Sequence, residues 1–298
     1  MVTNASSSSS SSAPPLAGYE YNYFRVTRPG PWSQTAHVEM NRAEKLNGFV
    51  PDMWRELGDV FRRLGRDSDV KVVVLSGAGE RAFTAGLDVR AAGEAGILVR
   101  KEEKEGGDAA RRAWMLRGVI EEFQACVGEV ERCEKPVICV MHGIALGLAI
   151  DIATCADIRL CAQATRFAVK EVDIGIAADI GTLARLPKTV GSSSWVKDVC
   201  LTGRDFSAQE ALSVGFVSQV HDDKQAALRA AFALADVLAE KSPVAVQGTK
   251  ELLNYGAQHS TAESLRYTAV WNSVAIQTAD VAVAMGKSKK KDLPFAKL

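Results

Sequence analysis

The sequence predicts an α/β fold, and three observations predict it. Strand-like and helix-like segments alternate up to about Ser207. Two of the strand-like segments are continuous apolar runs ending in Gly, the pattern of strands covered on both faces in a parallel sheet. Beyond Ser207 the chain turns helical and carries many apolar faces to bury.

Taken in order, residues 1–18 ("MVTNASSSSSSSAPPLAG") form a Ser-rich tail that buries too little apolar surface to offset its ordering entropy, and it is expected to be disordered. It has no apolar h-region and no Lys or Arg before Arg25, so it reads as neither a secretory signal nor a mitochondrial presequence. An α/β core follows over 19–206. "YNYFRVTRP" and "TAHVEMN" read as a hairpin around "GPWSQ" from their β-branched and aromatic content. "PDMWRELGDVFRRLGRDSD" repeats apolar residues at helical spacing, with Pro51 and Asp52 at its start. "VKVVVLSGAG" is a buried strand. "VRKEEKEGGDAARR" is a surface loop entering the long amphipathic helix "AARRAWMLRGVIEEFQACVGEVERC". "KPVICVMHG" is a second buried strand, "GLAIDIATCA" a helix rising from it, and "DIRLCAQ" and "TRFAVKEV" two further strands. Residues 207–285 hold four helical segments, with Ser207, Ser242 and Ser260 placed as N-caps. Residues 286–298 form a Lys-rich tail ending in Ala296-Lys297-Leu298, a small–basic–Leu tripeptide that resembles the peroxisomal address S-K-L.

The 298 residues carry 36 basic and 36 acidic side chains, so no net field draws in nucleic acid. No apolar run reaches the roughly 18 residues of a membrane span. The six cysteines form no CxxC pair and read as reduced, buried thiols, while the four histidines make no metal-binding spacing. No metal site is expected. No GxGxxG follows the first buried strand, so a dinucleotide site is not supported.

Two features point to chemistry. The first is a pair of Gly-rich turns, "SGAGERAFTAGLDV" and "MHGIALGLAID", each after a buried strand. Such turns free backbone N–H groups to face a cavity, and two side by side supply two donors to one oxygen. Gly is also an ordinary way to end a strand. The second feature is "VKEVDIGIAADIGTLARLP", which sets Glu171, Asp173 and Asp179 among small apolar residues with no basic residue between Lys170 and Arg185. Buried carboxylates without partners acquire raised pKa values. These acids either face water from a loop or occupy a dry site for proton chemistry. Asp151 reads equally as a first-turn helix acid, and Asp179, two residues before Gly181, as a turn residue. Asp157 and Asp173 read as structural, and Asp88 as a loop or cap residue.

"NRAEKLNGF", "FTAGLDV", "KPVICVMHGIALGLAIDIATCADIRL" and "FAVKEVDIGIAADIGTLARLPKTVG" resemble the crotonase (enoyl-CoA hydratase/isomerase) superfamily over about residues 20 to 285. Within it, Asp151, Glu171 and Asp179 are similar to the acids of the Δ3,5-Δ2,4-dienoyl-CoA isomerases. The resemblance implies a crotonase-like spiral of ββα units with a helical C-terminal trimerisation region, forming a homotrimer or hexamer. It implies a fatty acyl-CoA substrate, a role in β-oxidation, and no cofactor beyond the coenzyme A of the substrate. The thioester oxygen would lie between the N–H groups of Leu87 and Leu148. Glu171 would act at C2 and Asp179 at C6, with Asp151 modulating Glu171 or holding its geometry. Eight residues span at most roughly 26 Å, so a bent loop sets both acids along one chain. Gly86, Leu87, Asp88, Val89, Arg90 and Ala149 would contact the CoA portion, with Lys45 and Arg90 as candidates for its phosphates. Leu148 stands where most members have Gly, so its φ must be negative or strained. The tripeptide implies a peroxisomal import receptor as partner; a cytoplasmic or mitochondrial location is the alternative. Rival readings are an enoyl-CoA hydratase, a Δ3-Δ2-enoyl-CoA isomerase, and a non-catalytic acyl-CoA- or RNA-binding scaffold. Asp151 is one carbon shorter than the Glu usual in hydratases, and Asp179 stands where they resemble one another in having Gly.

Overall fold

A chain that winds between two sheets sets the position of everything else. The computed structural model describes residues 15–31, 33–94, 108–286 and 295–298. Its larger sheet runs in the order β1 (Pro15–Glu20), β2 (Phe24–Thr27), β3 (Thr35–Met40), β4 (Val72–Gly77), β6 (Val137–Met141), β8 (Ile158–Ala162) and β11 (Gln219–His221). The smaller runs β10 (Phe206–Ser207), β9 (Arg166–Ala168), β7 (Ile144–Leu146) and β5 (Ala82–Thr84). β1, β2 and β3 pair antiparallel, and β3 through β11 pair parallel. In the smaller sheet β5, β7 and β9 are parallel, with β10 antiparallel at the edge.

Each of β4, β6 and β8 is followed by a strand of the other sheet: β5, β7 and β9. Helices α2 (Val89–Glu94) and α3 (Ala109–Arg132) complete the first turn, and α4 (Leu148–Cys155) completes the second. This is the expected spiral of ββα units. α1 (Pro51–Arg66) buries Met53, Trp54, Leu57, Val60, Phe61 and Leu64, the residues its periodicity picks out. It packs on α3, where Trp54 stacks on Phe123 with ring centroids 4.0 Å apart.

The apolar runs have a direct cause. Val73, Leu75, Val137, Cys139 and Met141 enter the main core, while the intervening Val72, Val74, Ile138 and Val140 pack on Ala227, Leu228, Ala231 and Ala235 of α8 (Lys224–Ala239). Both faces are covered, so the runs do not alternate. The remaining helices are α5 (Thr182–Thr189), α6 (Ser193–Thr202), α7 (Ala208–Ser213), α9 (Pro243–Gly256), α10 (Thr261–Ala275) and α11 (Ala279–Gly286). Ser207, Ser242 and Ser260 cap α7, α9 and α10 through their side chains, the last in a capping box with Glu263. All six cysteines are free thiols. No helix among the described residues is long and apolar enough to cross a membrane.

Three expectations change. Pro15–Gly18, assigned above to a disordered tail, belong to β1, which pairs with β2; residues 1–14 lie outside the described residues. "TRFAVKEV" is a strand only to Ala168, after which Glu171–Ile174 form a 3-10 turn. The region 207–285 is not purely helical: β11 joins the larger sheet beside β8, and α8 covers that sheet. Most of the charged loop at 99–112 and of the tail at 286–298 also falls outside the described residues.

Candidate active site

β5 and β7 are parallel neighbours, so the turns that follow them leave the same edge of the smaller sheet. They touch. A Cβ on Gly86 would lie 2.9 Å from the Leu146 carbonyl oxygen and 3.5 Å from the Leu148 nitrogen, and Gly86 has φ +94°. Both the close approach and the left-handed conformation require glycine there. Across the gap Gly147 has φ +54°, which lets Leu148 begin α4 with a negative φ. The side chain at Leu148 therefore imposes no backbone strain. A Cβ on Gly147 would also stand 3.1 Å from Glu171 Oε1.

This arrangement leaves two backbone donors unspent. Phe49 N–H donates to the Gly86 carbonyl and Asp88 N–H donates to the Phe49 carbonyl, so the bridge there bypasses the N–H of Leu87. Leu148 is the first residue of α4, where an N–H has no partner within the helix. Neither N–H makes a hydrogen bond among the described residues.

The first turn is held by a residue that sequence reasoning passed over. Asn47 is fully buried, and its Nδ2 donates to the carbonyls of Ala78, Ala82 and Phe83 at 3.0–3.1 Å. The Thr84 hydroxyl donates to the Asn47 carbonyl at 2.7 Å and accepts from Gly86 N–H at 3.1 Å. Arg42 N–H donates to Asn47 Oδ1, and the Arg42 guanidinium pairs with Asp88 at 2.9 Å. Asn47 and Leu46 both have φ +52°, and Asn tolerates that region better than most side chains. An Asn before Gly, as in "LNGF", is the one local sign of this in the sequence.

Beneath the two turns lies a cavity of about 140 Å³. Trp54, Ile120, Phe123 and Ile176 supply apolar wall, and Asp151, Glu171 and Asp179 all line it. The three acids singled out from the sequence are thus brought together. Asp151, on α4, is 1% exposed. Its Oδ1 accepts from the Thr182 N–H at 2.6 Å and from the Thr182 hydroxyl at 2.8 Å. Burial pushes its carboxyl up to about 6 against those two donors. Glu171 is raised to about 7, first by burial and then by the neighbouring charge of Asp151. Its Oε2 is buried and has no hydrogen-bond partner. Asp179 sits at the mouth, exposed on one side and lining the cavity on the other, and its partial burial raises its pKa. Gln124 of α3 donates to the Asp179 carbonyl.

The other candidate residues divide. Gly86, Leu87 and Val89 line the cavity, and Leu87 also borders an open cleft of about 570 Å³ with Lys45, Arg81, Asp88 and Arg90. The Asp88 carboxylate is spent on the Ala91 N–H at the start of α2 and on Arg42. Ala149, expected as a CoA contact, is fully buried and lines neither cavity nor cleft, so it offers a ligand no surface. Asp157 pairs with Lys250 and Asp173 with Lys170, and neither lines the cavity. Among the described residues no group of His, Cys, Asp and Glu gathers as metal ligands.

Free amide donors above three acids that line a largely apolar cavity suit an enzyme that polarises a carbonyl and moves protons beside it. The chain belongs to the enoyl-CoA hydratase/isomerase family, whose model matches residues 33–295. It is 43% identical over 283 residues to the mitochondrial Delta(3,5)-Delta(2,4)-dienoyl-CoA isomerase of Mus musculus, covering 94% of this chain and 85% of that protein. It is 35% identical over 279 residues to the peroxisomal Delta(3,5)-Delta(2,4)-dienoyl-CoA isomerase of Arabidopsis thaliana, covering 93% and 98%. Among solved structures, the enoyl-CoA hydratase of Bacillus anthracis superposes with a TM-score of 0.80 at 26% identity, covering 93% of this chain and 99% of that one.

Burial of Glu171 has a consequence for stability. A carboxyl raised from 4.5 to about 7 on folding binds more protons folded than unfolded between those values, so it lowers stability as pH rises through them. Glu171→Gln removes the charge and keeps the shape. The variant is expected to be more stable than the parent by on the order of 3 kcal/mol at pH 8, with the difference vanishing below about pH 4.5. Denaturant unfolding at the two pH values measures it; equal stability at pH 8 would contradict the burial of this charge.

Proposed function

We propose that the chain is a Δ3,5-Δ2,4-dienoyl-CoA isomerase acting in the β-oxidation of unsaturated fatty acids. The observation that carries the reading is the placement of Glu171, with one oxygen buried and unpaired, in the same apolar cavity as Asp179 and under two unspent amides. The names borne by the mouse and Arabidopsis relatives support it.

The chemistry follows from the geometry. The thioester oxygen accepts from Leu87 N–H and Leu148 N–H, each donor contributing about 3–4 kcal/mol as negative charge develops there. Glu171 takes a proton from C2; a pKa near 7 makes it a stronger base than an ordinary carboxylate while leaving about half of it ionised at neutral pH. The anion spreads over the conjugated carbons to C6. Asp179, which lines the same cavity, delivers the proton that C6 receives. One proton leaves and one arrives, the double bonds move from 3,5 to 2,4, and no water or cofactor enters. Between turnovers Glu171 gives up the proton it took, and Asp179, exposed on one side, takes one up from solvent. Hydration asks two acids to grip one water, whereas one oxygen of Asp151 is already committed to Thr182.

The CoA portion extends into the open cleft beside Leu87. Arg42 is committed to Asp88, which leaves Lys45 and Arg81, in no ion pair among the described residues, to meet its phosphates, with Arg90 at the rim. The exposed apolar side chains of α9 and α10, among them Leu253, Leu265, Val270 and Val274, are the faces on which copies of the chain assemble as a trimer or hexamer. Ala296-Lys297-Leu298 is exposed and serves as the peroxisomal address.

Purified protein is expected to turn 3,5-dienoyl-CoA into the 2,4-dienoyl chromophore seen by ultraviolet absorbance. Asp179→Asn should abolish this while CoA binding persists. Gly86→Ala should lower kcat about 100-fold or more by spoiling the alignment of a donor. Loss of the 2-enoyl band with crotonyl-CoA, and no new chromophore from the dienoyl substrate, would favour a hydratase instead. Sedimentation as a monomer, or punctate import of a fluorescent fusion lacking residues 296–298, would contradict the assembly and the address respectively.

A further inference from the structure

We propose that Thr182 is a positioning residue for this reaction: its hydroxyl, together with its N–H, keeps Asp151 as the standing negative charge beside Glu171. The inference rests on the isomerase reading above.

The geometry begins with a missing cap. α5 starts at Thr182, and the preceding Gly181 has no side chain to satisfy the first-turn donors. Asp151, 31 residues earlier on α4, does this in its place: Thr182 N–H and Thr182 Oγ1 both donate to the single oxygen Oδ1. Thr182 is fully buried and Asp151 nearly so, so water does not supply these bonds. A backbone donor would survive almost any substitution, but the hydroxyl belongs to the residue type. Val or Ala at position 182 would cap as well through its N–H and would leave Asp151 with one donor instead of two.

The electrostatic consequence can be traced through every charged neighbour. Asp151 faces Glu171 on the 3-10 turn, Asp179 before α5, and Arg185 on α5, which is itself paired with Glu131 of α3 at 2.8 Å. The thiols of Cys155 on α4 and Cys200 on α6 complete the surroundings. Burial and the Asp179 carboxylate disfavour a charge on Asp151; the two Thr182 donors and Arg185 favour it. Arg185 is shared with Glu131, so the Thr182 hydroxyl is the component most directly dedicated to Asp151. A charged Asp151 in turn raises the basicity of Glu171. Without the hydroxyl, Asp151 takes up a proton at a higher pH, its charge beside Glu171 disappears, and Glu171 becomes a weaker base that stays ionised to lower pH.

The test compares the full-length protein with Thr182→Val and Thr182→Ser. Carbon-13 NMR titration of aspartate carboxyls in the ligand-free protein is expected to put the Asp151 midpoint about one pH unit higher in T182V and back near the parent value in T182S. The pH profile of kcat/KM for dienoyl-CoA isomerisation should shift in the opposite sense. Its acid limb reports Glu171, which must be ionised to accept the C2 proton, so the limb moves to lower pH in T182V and returns in T182S. If Val does not fold, Thr182→Ala removes the same hydroxyl and carries the same expectations. An Asp151 midpoint that does not move, or a rate that falls equally at every pH with the limb in place, would overturn the proposal. The titration needs no substrate, so it decides the role of Thr182 even if the parent enzyme fails to isomerise dienoyl-CoA, a result that would instead refute the isomerase reading.

Discussion

The structure depends on one close approach: the backbone turn at Gly86 against the turn from Leu146 to Leu148, with no room for a Cβ between them. Parallel pairing of β5 with β7 brings the turns together, and the spiral of ββα units brings those strands together. From this contact come two N–H groups without partners among the described residues. Buried backbone donors are nearly always paired, so two spared at one place are a site in waiting. The remaining parts hold that contact still. Asn47 ties the first turn to the loop behind it, and the start of α4 fixes the second.

The acids follow a complementary logic. The walls around Glu171 are apolar, and its charge has no salt-bridge partner among the described residues, so folding works against it. Stability given up in this way is typical of sites where a group must react rather than rest. The three carboxyls are also graded. Asp151 is held by two donors in the interior, Glu171 is partly buried with one oxygen enclosed and unpaired, and Asp179 meets solvent at the mouth. One set of like groups thereby acquires three characters from environment alone.

Much of this was legible in the sequence, for identifiable reasons. "VVVLSG" and "VICVM" were readable as buried strands because α8 covers one face and the main core the other. The helix starts were readable because Ser207, Ser242 and Ser260 each sit three residues before an N–H they accept from. The three-residue strands β5 and β7 were not readable, since three residues carry no period, yet they aim the two turns. The break between β9 and the 3-10 turn at Glu171 was hidden because Val169 and Val172 look like strand residues on either side of it. Thr182 was invisible, and Asn47 nearly so apart from the Gly that follows it, for a different reason: each acts through hydrogen bonds to residues 31 or more positions away. Ala149 was misjudged because adjacency to Leu148 in sequence says nothing about which way a helical side chain turns.

The central claim is that separate acids serve the two ends of one conjugated chain. Isomerisation in deuterium oxide, with the label located by NMR in the first-formed 2,4-dienoyl-CoA, tests it most directly. Delivery from solvent-exchanged Asp179 predicts one deuterium at C6. An unlabelled C6, meaning that the C2 proton itself is carried along the chain by a single base, would contradict the account.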